Sequence, residues 1–270
     1  MENKSIIEEK IVNDNGEITI IKYIKGNLLG EGHLSKCYEF INQENNESSA
    51  AKIIPKNLNY KEKRIKNEIK ILKMMKHDNI IKFKTNFEDK DNIYILTEIC
   101  KNKTLKDLLT KRKIITELEV QYYIIQIINA LKYLNIRNII HRDFNLSNIF
   151  ITDKMKVKIG GFNNSILLNK NEEKLDLICE NSKYTAPEIY DNNYSFEVDI
   201  WSLGVIIYTL LIGKTPFEDT ENIKYDFDFP FNVEISNNAR DLISKLLVKK
   251  IRIKDQHLMK FYHMIFLKKK

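Results

Sequence analysis

Only eight glycines and four prolines interrupt 270 residues. The chain favours Lys, Asn and Ile throughout, so each surviving Gly or Pro has a backbone reason to be where it is. Gly26, Gly30 and Gly32 cluster early, between two alternating apolar runs. Residues 18–24 read as a strand and residues 36–41 as its hairpin partner. The Asn- and Glu-rich stretch 42–48 reads as a hairpin tip, and residues 49–55 as the next strand. Residues 60–75 carry Ile65, Ile69, Leu72 and Met75, a helical stripe. Residues 80–87 and 92–98 are two further strands. The character then changes: 105–109 and 117–134 read as helices, 149–152 and 156–159 as short β pieces, and 198–211 and 238–247 as helices again. The pattern predicts an α+β chain: a small, mostly β part with one helix, then a larger helical part, without internal repeats.

Composition narrows the class. Hydrophobic residues are 43% and charged residues 30% of the chain, which is globular rather than disordered. Cys37, Cys100 and Cys179 are odd in number, widely spaced and without a CxxC pair, so neither a disulfide framework nor a zinc site is expected. Residues 1–10 mix acids and lysines with no apolar core, which argues against secretion. The apolar stretch 205–212 is far short of the roughly 20 residues that span a bilayer. The net charge of +7 comes from 44 basic and 37 acidic residues. Its lysines are scattered, dense only at 111–113 and 268–270, so a solvated surface explains them better than a nucleic-acid face.

Three motifs carry chemistry. Leu29-Gly30-Glu31-Gly32-His33-Leu34-Ser35 lies between two strands, where glycines let backbone amides approach phosphates. Taken alone it is a glycine-containing hairpin. Ala50-Ala51-Lys52 puts a lysine on an apolar strand, where an inward cation needs a carboxylate or a phosphate. Glu68 follows 16 residues later on the predicted helix. The decisive stretch is Ile139 to Phe150, containing His141-Arg142-Asp143-Phe144-Asn145-Leu146-Ser147-Asn148. An Asp and an Asn five residues apart, between a buried helix and a short strand, suit a base and a metal ligand in phosphoryl transfer. Ala186-Pro187-Glu188 and Asp199-Ile200-Trp201-Ser202-Leu203-Gly204 follow at matching intervals.

These strings resemble the protein kinases over about residues 23–265, and are most similar to the polo-like branch of Ser/Thr kinases. The local likeness lies in Gly26-Asn27-Leu28-Leu29-Gly30-Glu31-Gly32, Lys36-Cys37-Tyr38, Phe87-Glu88-Asp89, Glu98-Ile99-Cys100 and Ser195-Phe196-Glu197-Val198-Asp199. The resemblance implies a bilobal kinase fold. Its N-lobe covers about 23–97, its hinge 98–103 and its C-lobe 104–265, with residues 1–22 as an extension and no polo-box domain. It implies ATP held by Gly30, Gly32 and Lys52. Cys37 and Ala50 would lie above the adenine ring and Phe150 below it, with Thr97 as gatekeeper and Glu98 to Cys100 meeting adenine through the backbone. Glu68 orients Lys52, Asp143 is the catalytic base and Asn148 a metal ligand. Phe87, Leu72, Phe162 and His141 form the apolar spine, and Glu188 pairs with Arg252.

Departures from the family pattern set the functional expectation. Asp-Phe-Gly appears as Gly161-Phe162-Asn163, so the chief Mg²⁺ carboxylate is missing. Magnesium needs hard oxygen ligands, and Mg²⁺ or Mn²⁺ use is therefore in doubt. The lysine two positions after the base is Asn145, and Gly-Thr-Pro before Ala-Pro-Glu is Glu180-Asn181-Ser182. The activation-loop threonine aligns with Leu177, leaving Arg142 without a phosphate partner unless Asp176 stands in. The expected function is a nucleotide-binding pseudokinase or scaffold of polo-like kinase fold, inactive or weakly active. The alternative is an active Ser/Thr kinase with an altered metal requirement. The expected partners are ATP and a protein substrate or scaffold partner, with no nucleic acid and no membrane, in a monomer of the cytoplasm or nucleus.

Overall fold

The computed structural model describes residues 5–32, 35–57, 62–168, 182–191, 194–217 and 227–248. The chain divides into two compact units, one formed by residues up to 76 together with 81–101, the other by 77–80 and the residues from 102 onward.

The first unit is a six-stranded antiparallel sheet with one helix. Its elements are β1 (Ile6–Val12), β2 (Ile18–Glu31), β3 (Lys36–Asn42), β4 (Ser48–Pro55), α1 (Glu62–Met74), β5 (Phe83–Glu88) and β6 (Asn92–Thr97). The strand order is β1-β2-β3-β4-β6-β5. Strand β2 is long enough to serve two neighbours. Its first half pairs with β1, from Val12 opposite Ile18 to Ile6 opposite Ile24. Its second half pairs with β3, reaching Glu31 opposite Lys36. This corrects the expected hairpin: the partner of residues 18–24 is mainly β1, which lies in the stretch read as an extension. The turn between them is built by Asn13, whose Oδ1 accepts from the backbone N–H of Asn15 and Glu17, and by Gly16 at φ +80°.

Strands β1 and β5 are the two ends of the sheet, and Glu9 ties them together. Its carboxylate accepts from the Tyr23 hydroxyl on β2 at 2.7 Å and from Thr85 Oγ1 on β5 at 2.6 Å. Glu9 is only 4% exposed. A buried carboxylate is tolerable here because hydroxyl donors reach both of its oxygens. One sheet face packs Tyr23, Phe40, Ala51, Phe87, Tyr94 and Leu96 into a core. Phe87 stacks on Tyr94 at 4.7 Å and on Tyr23 at 5.9 Å.

The second unit is mostly helical. It comprises α2 (Leu105–Arg112), α3 (Glu117–Ile136), β7 (Ile139–Ile140), β8 (Ile149–Ile151), β9 (Val157–Ile159), β10 (Ile166–Leu167), α4 (Glu197–Ile212) and α5 (Asn237–Leu246). Thr104 with Asp107, and Thr116 with Glu119, form capping boxes that start α2 and α3. Arg112 bonds Glu119 as well, and this pairing is the main cause holding that carboxyl down at about 2. Helix α4 is buried along nearly its whole length, so it forms the centre of the unit. It ends at Gly213, whose φ of +87° and approach to the Lys113 carbonyl leave no room for a side chain. Among the described residues no helix is long and apolar enough to cross a membrane.

Candidate active site

In the first unit the residues predicted for nucleotide share a surface. Directly paired residues in an antiparallel sheet point to the same side, as do residues two apart. Lys52 on β4 lies opposite Cys37 on β3, and Ala50 lies opposite Thr97 on β6. Cys37, Ala50, Lys52 and Thr97 therefore occupy one face, the reverse of the aromatic core. Burial pushes the Cys37 thiol up to about 11, so it is a neutral apolar surface there.

Helix α1 adds the carboxylate. Of the expected stripe, Ile65, Leu72 and Met75 are buried and Ile69 is half-buried, while Ile71 and Glu68 complete the inward face. Glu68 is 5% exposed. Lys52 Nζ lies 2.8 Å from each of its carboxylate oxygens. The pair predicted from spacing alone is formed. Gly30 pairs with Cys37, and a Cβ at Gly30 would meet no protein atom within 4 Å. Packing within the protein does not call for a glycine at that point, and the open space suits an approaching phosphate. Gly32 closes the turn by donating to the Ser35 carbonyl at 2.8 Å. Glu98 donates its N–H to the Lys82 carbonyl and accepts from the Lys82 N–H on its side chain.

The spine assignment needs one correction in this unit. Strand β5 has a register shift between Phe83 and Thr85. Thr85 and Phe87 consequently face the Glu9 and Tyr23 side, and Phe87 belongs to the aromatic core. The Phe83 ring is the one beside α1, 5.8 Å from Lys73 Nζ.

In the second unit the loop after β7 is held from below by α4. The Asp199 carboxylate accepts from the backbone N–H of His141 at 2.8 Å and of Arg142 at 2.9 Å. Burial raises its carboxyl to about 6. Arg142 sits at φ +62°, a left-handed conformation costing a non-glycine residue roughly 1–2 kcal/mol. The two bonds to Asp199 fix that bend and aim the following residue, Asp143. Sequence reasoning placed Asp199 in two family-like strings at the start of a predicted helix and gave it no role. An acid just inside so apolar a segment was the available signal for this bracing role.

His141 is fully buried. Its Nε2 donates to the Gly160 carbonyl at 2.9 Å, and its Nδ1 accepts from the Asp143 N–H at 3.3 Å. Burial lowers its pKa to about 4, so the ring is neutral. It packs against Phe162 at 5.0 Å. The Arg142 guanidinium donates to the Asn164 carbonyl and to the Tyr194 hydroxyl. Asp176, Leu177, Glu180, Asn181 and Arg252 lie outside the described residues, and Glu188 is 3% exposed. Phe150 lies on β8 opposite Lys158.

Around the predicted base stand two side-chain amides, Asn148 and, where the family pattern has a lysine, Asn145. Asn148 Nδ2 donates to the Asp143 carbonyl at 2.7 Å and to its Oδ2 at 3.2 Å. Asn145 Nδ2 donates to Asp143 Oδ1 at 2.7 Å. Gly161 adopts φ +78°, and a Cβ there would run into the Asn148 carboxamide, 2.8 Å from Nδ2. The space a side chain at 161 would use is thus taken by Asn148.

A protein kinase domain matches residues 23–258 of the chain. This protein belongs to the protein kinase family. The kinase is 44% identical over 256 residues to the probable serine/threonine-protein kinase CCRP1 of Zea mays, a match covering 90% of this chain and 41% of that protein. It is 44% identical to the probable serine/threonine-protein kinase PLK of Dictyostelium discoideum, over 84% of this chain and 24% of that protein. It is 43% identical to the serine/threonine-protein kinase polo of Drosophila melanogaster, over 83% of this chain and 39% of that protein. The kinase thus spans about two fifths or less of the length of these relatives, and its family is that of the polo-like Ser/Thr kinases. A β-rich unit followed by a helical unit is the architecture expected of it.

A kinase uses ATP and commonly magnesium. The residues on the β4 face fit a nucleotide: an apolar strip beside a lysine, and open space at Gly30. The residues at the metal position do not fit a divalent cation well. Gly161 has no side chain and Asn148 offers one neutral oxygen.

Proposed function

We propose that this kinase-fold protein binds ATP in its β-rich unit and transfers phosphate to protein Ser or Thr weakly or not at all, acting as a nucleotide-binding scaffold. In this reading residues 23–265 are the kinase domain, Cys37, Ala50, Thr97, Glu98, Cys100 and Phe150 are the adenine positions, and Lys52 meets the phosphates. Asp143 takes the acceptor hydroxyl proton, oriented by Asn148. The carrying observation is Gly161, left-handed and crowded by the Asn148 carboxamide, where the family pattern has the metal's carboxylate. Losing a charge at the centre of an electrostatically stabilised transition state costs orders of magnitude in rate.

The test is phosphotransfer to a generic acceptor protein with Mg²⁺, Mn²⁺ or no metal, beside an Asp143→Asn control. The expected result is little or no Asp143-dependent transfer. Turnover near 1 s⁻¹ or above, within the roughly 1–100 s⁻¹ of ordinary kinases, overturns the proposal. The intact Lys52–Glu68 pair supports a second reading, an active Ser/Thr kinase with an altered metal requirement. Asp143-dependent turnover with Mn²⁺ alone would select it. Thermal shifts with ATP test the nucleotide site separately. A ligand bound only by the folded state adds about 2.7 kcal/mol at 100 times its dissociation constant, and no shift at millimolar ATP would leave a scaffold that does not bind nucleotide.

A further inference from the structure

Asn145 is 2% exposed, and both ends of its carboxamide are used. Its Oδ1 accepts from the Ser147 N–H at 2.9 Å, capping the short turn Leu146–Asn148 that carries Asn148. Its Nδ2 donates to Asp143 Oδ1 at 2.7 Å and to the Asp143 carbonyl at 3.1 Å. The amide cannot be reversed. A carboxylate only accepts and a backbone N–H only donates, so a flip would oppose donor to donor. Asn148 meanwhile grips the other oxygen, Asp143 Oδ2. Each oxygen of Asp143 thus receives a side-chain amide, Oδ1 from Asn145 and Oδ2 from Asn148.

We propose that Asn145 is a positioning residue that sets Asp143 and Asn148 together, one through each end of its amide. Both hydrogens of Nδ2 are committed to Asp143, so none remains for a phosphate. Where the family pattern has a lysine, the side chain here serves the base instead. The proposal rests on reading Asp143 as the base, but its test does not require turnover.

The experiment compares Asn145→Asp with the unaltered protein in thermal unfolding from about pH 7.5 down to about pH 4.5. Aspartate caps a turn as well as asparagine does, so a residue that only capped would leave the melting temperature unchanged at every pH. A residue that clamps Asp143 would do otherwise. The new carboxylate lies against Asp143, and two carboxylates at this distance share one proton. The variant is then expected to melt about 4 °C or more lower near neutral pH and to close that gap on acidification. Among the described residues, His141, Arg142 and Asp199 are charged or titratable groups beside this loop. They are the same in both proteins, so their titration cancels in the difference.

If Asn145→Asp does not fold near neutral pH, the reversed pair decides. Asp143→Asn with Asn145→Asp exchanges donor and acceptor and is expected to melt within a degree or so of Asp143→Asn alone. A pH-independent gap, or equal harm from Asn145→Asp in both backgrounds, overturns the proposal. Either result stands apart from the ATP shift, so the clamp and the nucleotide site can fail independently.

Discussion

The two units treat charge in opposite ways. In the β-rich unit a cation and a carboxylate meet directly, Lys52 on Glu68, beside a face open to a ligand. In the helical unit the Asp143 carboxylate accepts from two neutral side-chain amides, Asn145 and Asn148, and residue 161 is a glycine. A bidentate ion pair loses a partner at a cost, because the remaining charge is left half buried. Under the proposed reading, the first arrangement serves an anionic nucleotide and the second is what a site without its metal carboxylate looks like.

The largest expected effect is on the bracing of the loop. Asp199→Ala removes the acceptor for two buried N–H groups and frees the left-handed bend at Arg142. It is expected to cost about 4 kcal/mol and to lower the melting temperature by roughly 10 °C. A loss below about 1 kcal/mol would mean the loop holds its bend without α4.

Next comes acid. The neutral His141 has its pKa lowered to about 4, against 6.5 for an ordinary histidine. A depressed value means that its stabilisation is complete above about pH 6.5 and is lost as pH falls towards 4. Asp199 works the other way. Raised to about 6, it favours the folded state below pH 3.8 and loses that contribution as pH rises through 6. In His141→Phe the histidine contribution is gone and every other titrating group, Asp199 included, is unchanged in kind. The unaltered protein should therefore lose ground to His141→Phe by about 3 kcal/mol between pH 7 and 4, read as converging or crossing melting curves. Parallel curves would mean His141 keeps its ordinary pKa.

A smaller effect, about 2 kcal/mol, is expected for Gly161→Asp without metal, from the left-handed φ and the clash with Asn148. If the missing carboxylate is the main lesion, Mg²⁺ with ATP should recover part of that loss. No metal dependence, alone or combined with Asn145→Lys, would place the lesion elsewhere. Smallest is Glu68→Gln, which keeps a hydrogen-bond acceptor for Lys52 and should cost about 1 kcal/mol. It should also reduce the ATP thermal shift. An undiminished shift would mean Lys52 finds the phosphates without α1.

Much of this was legible in the sequence because the signals were local strings or fixed spacings. His141 to Asn148 and the 16-residue step from Lys52 to Glu68 specify contacts that the fold then makes. Strand β1 was harder to read. Its sequence, Ile-Ile-Glu-Glu-Lys-Ile-Val, breaks the alternation rule because the inward residue at its middle is Glu9. Only the Asn-Gly at 15–16 hinted at a hairpin. The Phe87 assignment failed for a related reason: a single-residue shift in β5 exchanges faces, and no composition records it. The bracing by Asp199 was harder to see because it acts through backbone N–H groups, which look the same in every sequence.

The Glu9 bridge sets a physical border that differs from the family's. The kinase match begins at residue 23, yet the acceptor for the Tyr23 and Thr85 hydroxyls comes from residue 9. A chain trimmed at the family border would keep every motif residue and still lose strand β1 and the acceptor shared by these two hydroxyls. Where homology ends and where a folding unit ends are separate questions, and at this terminus they have different answers.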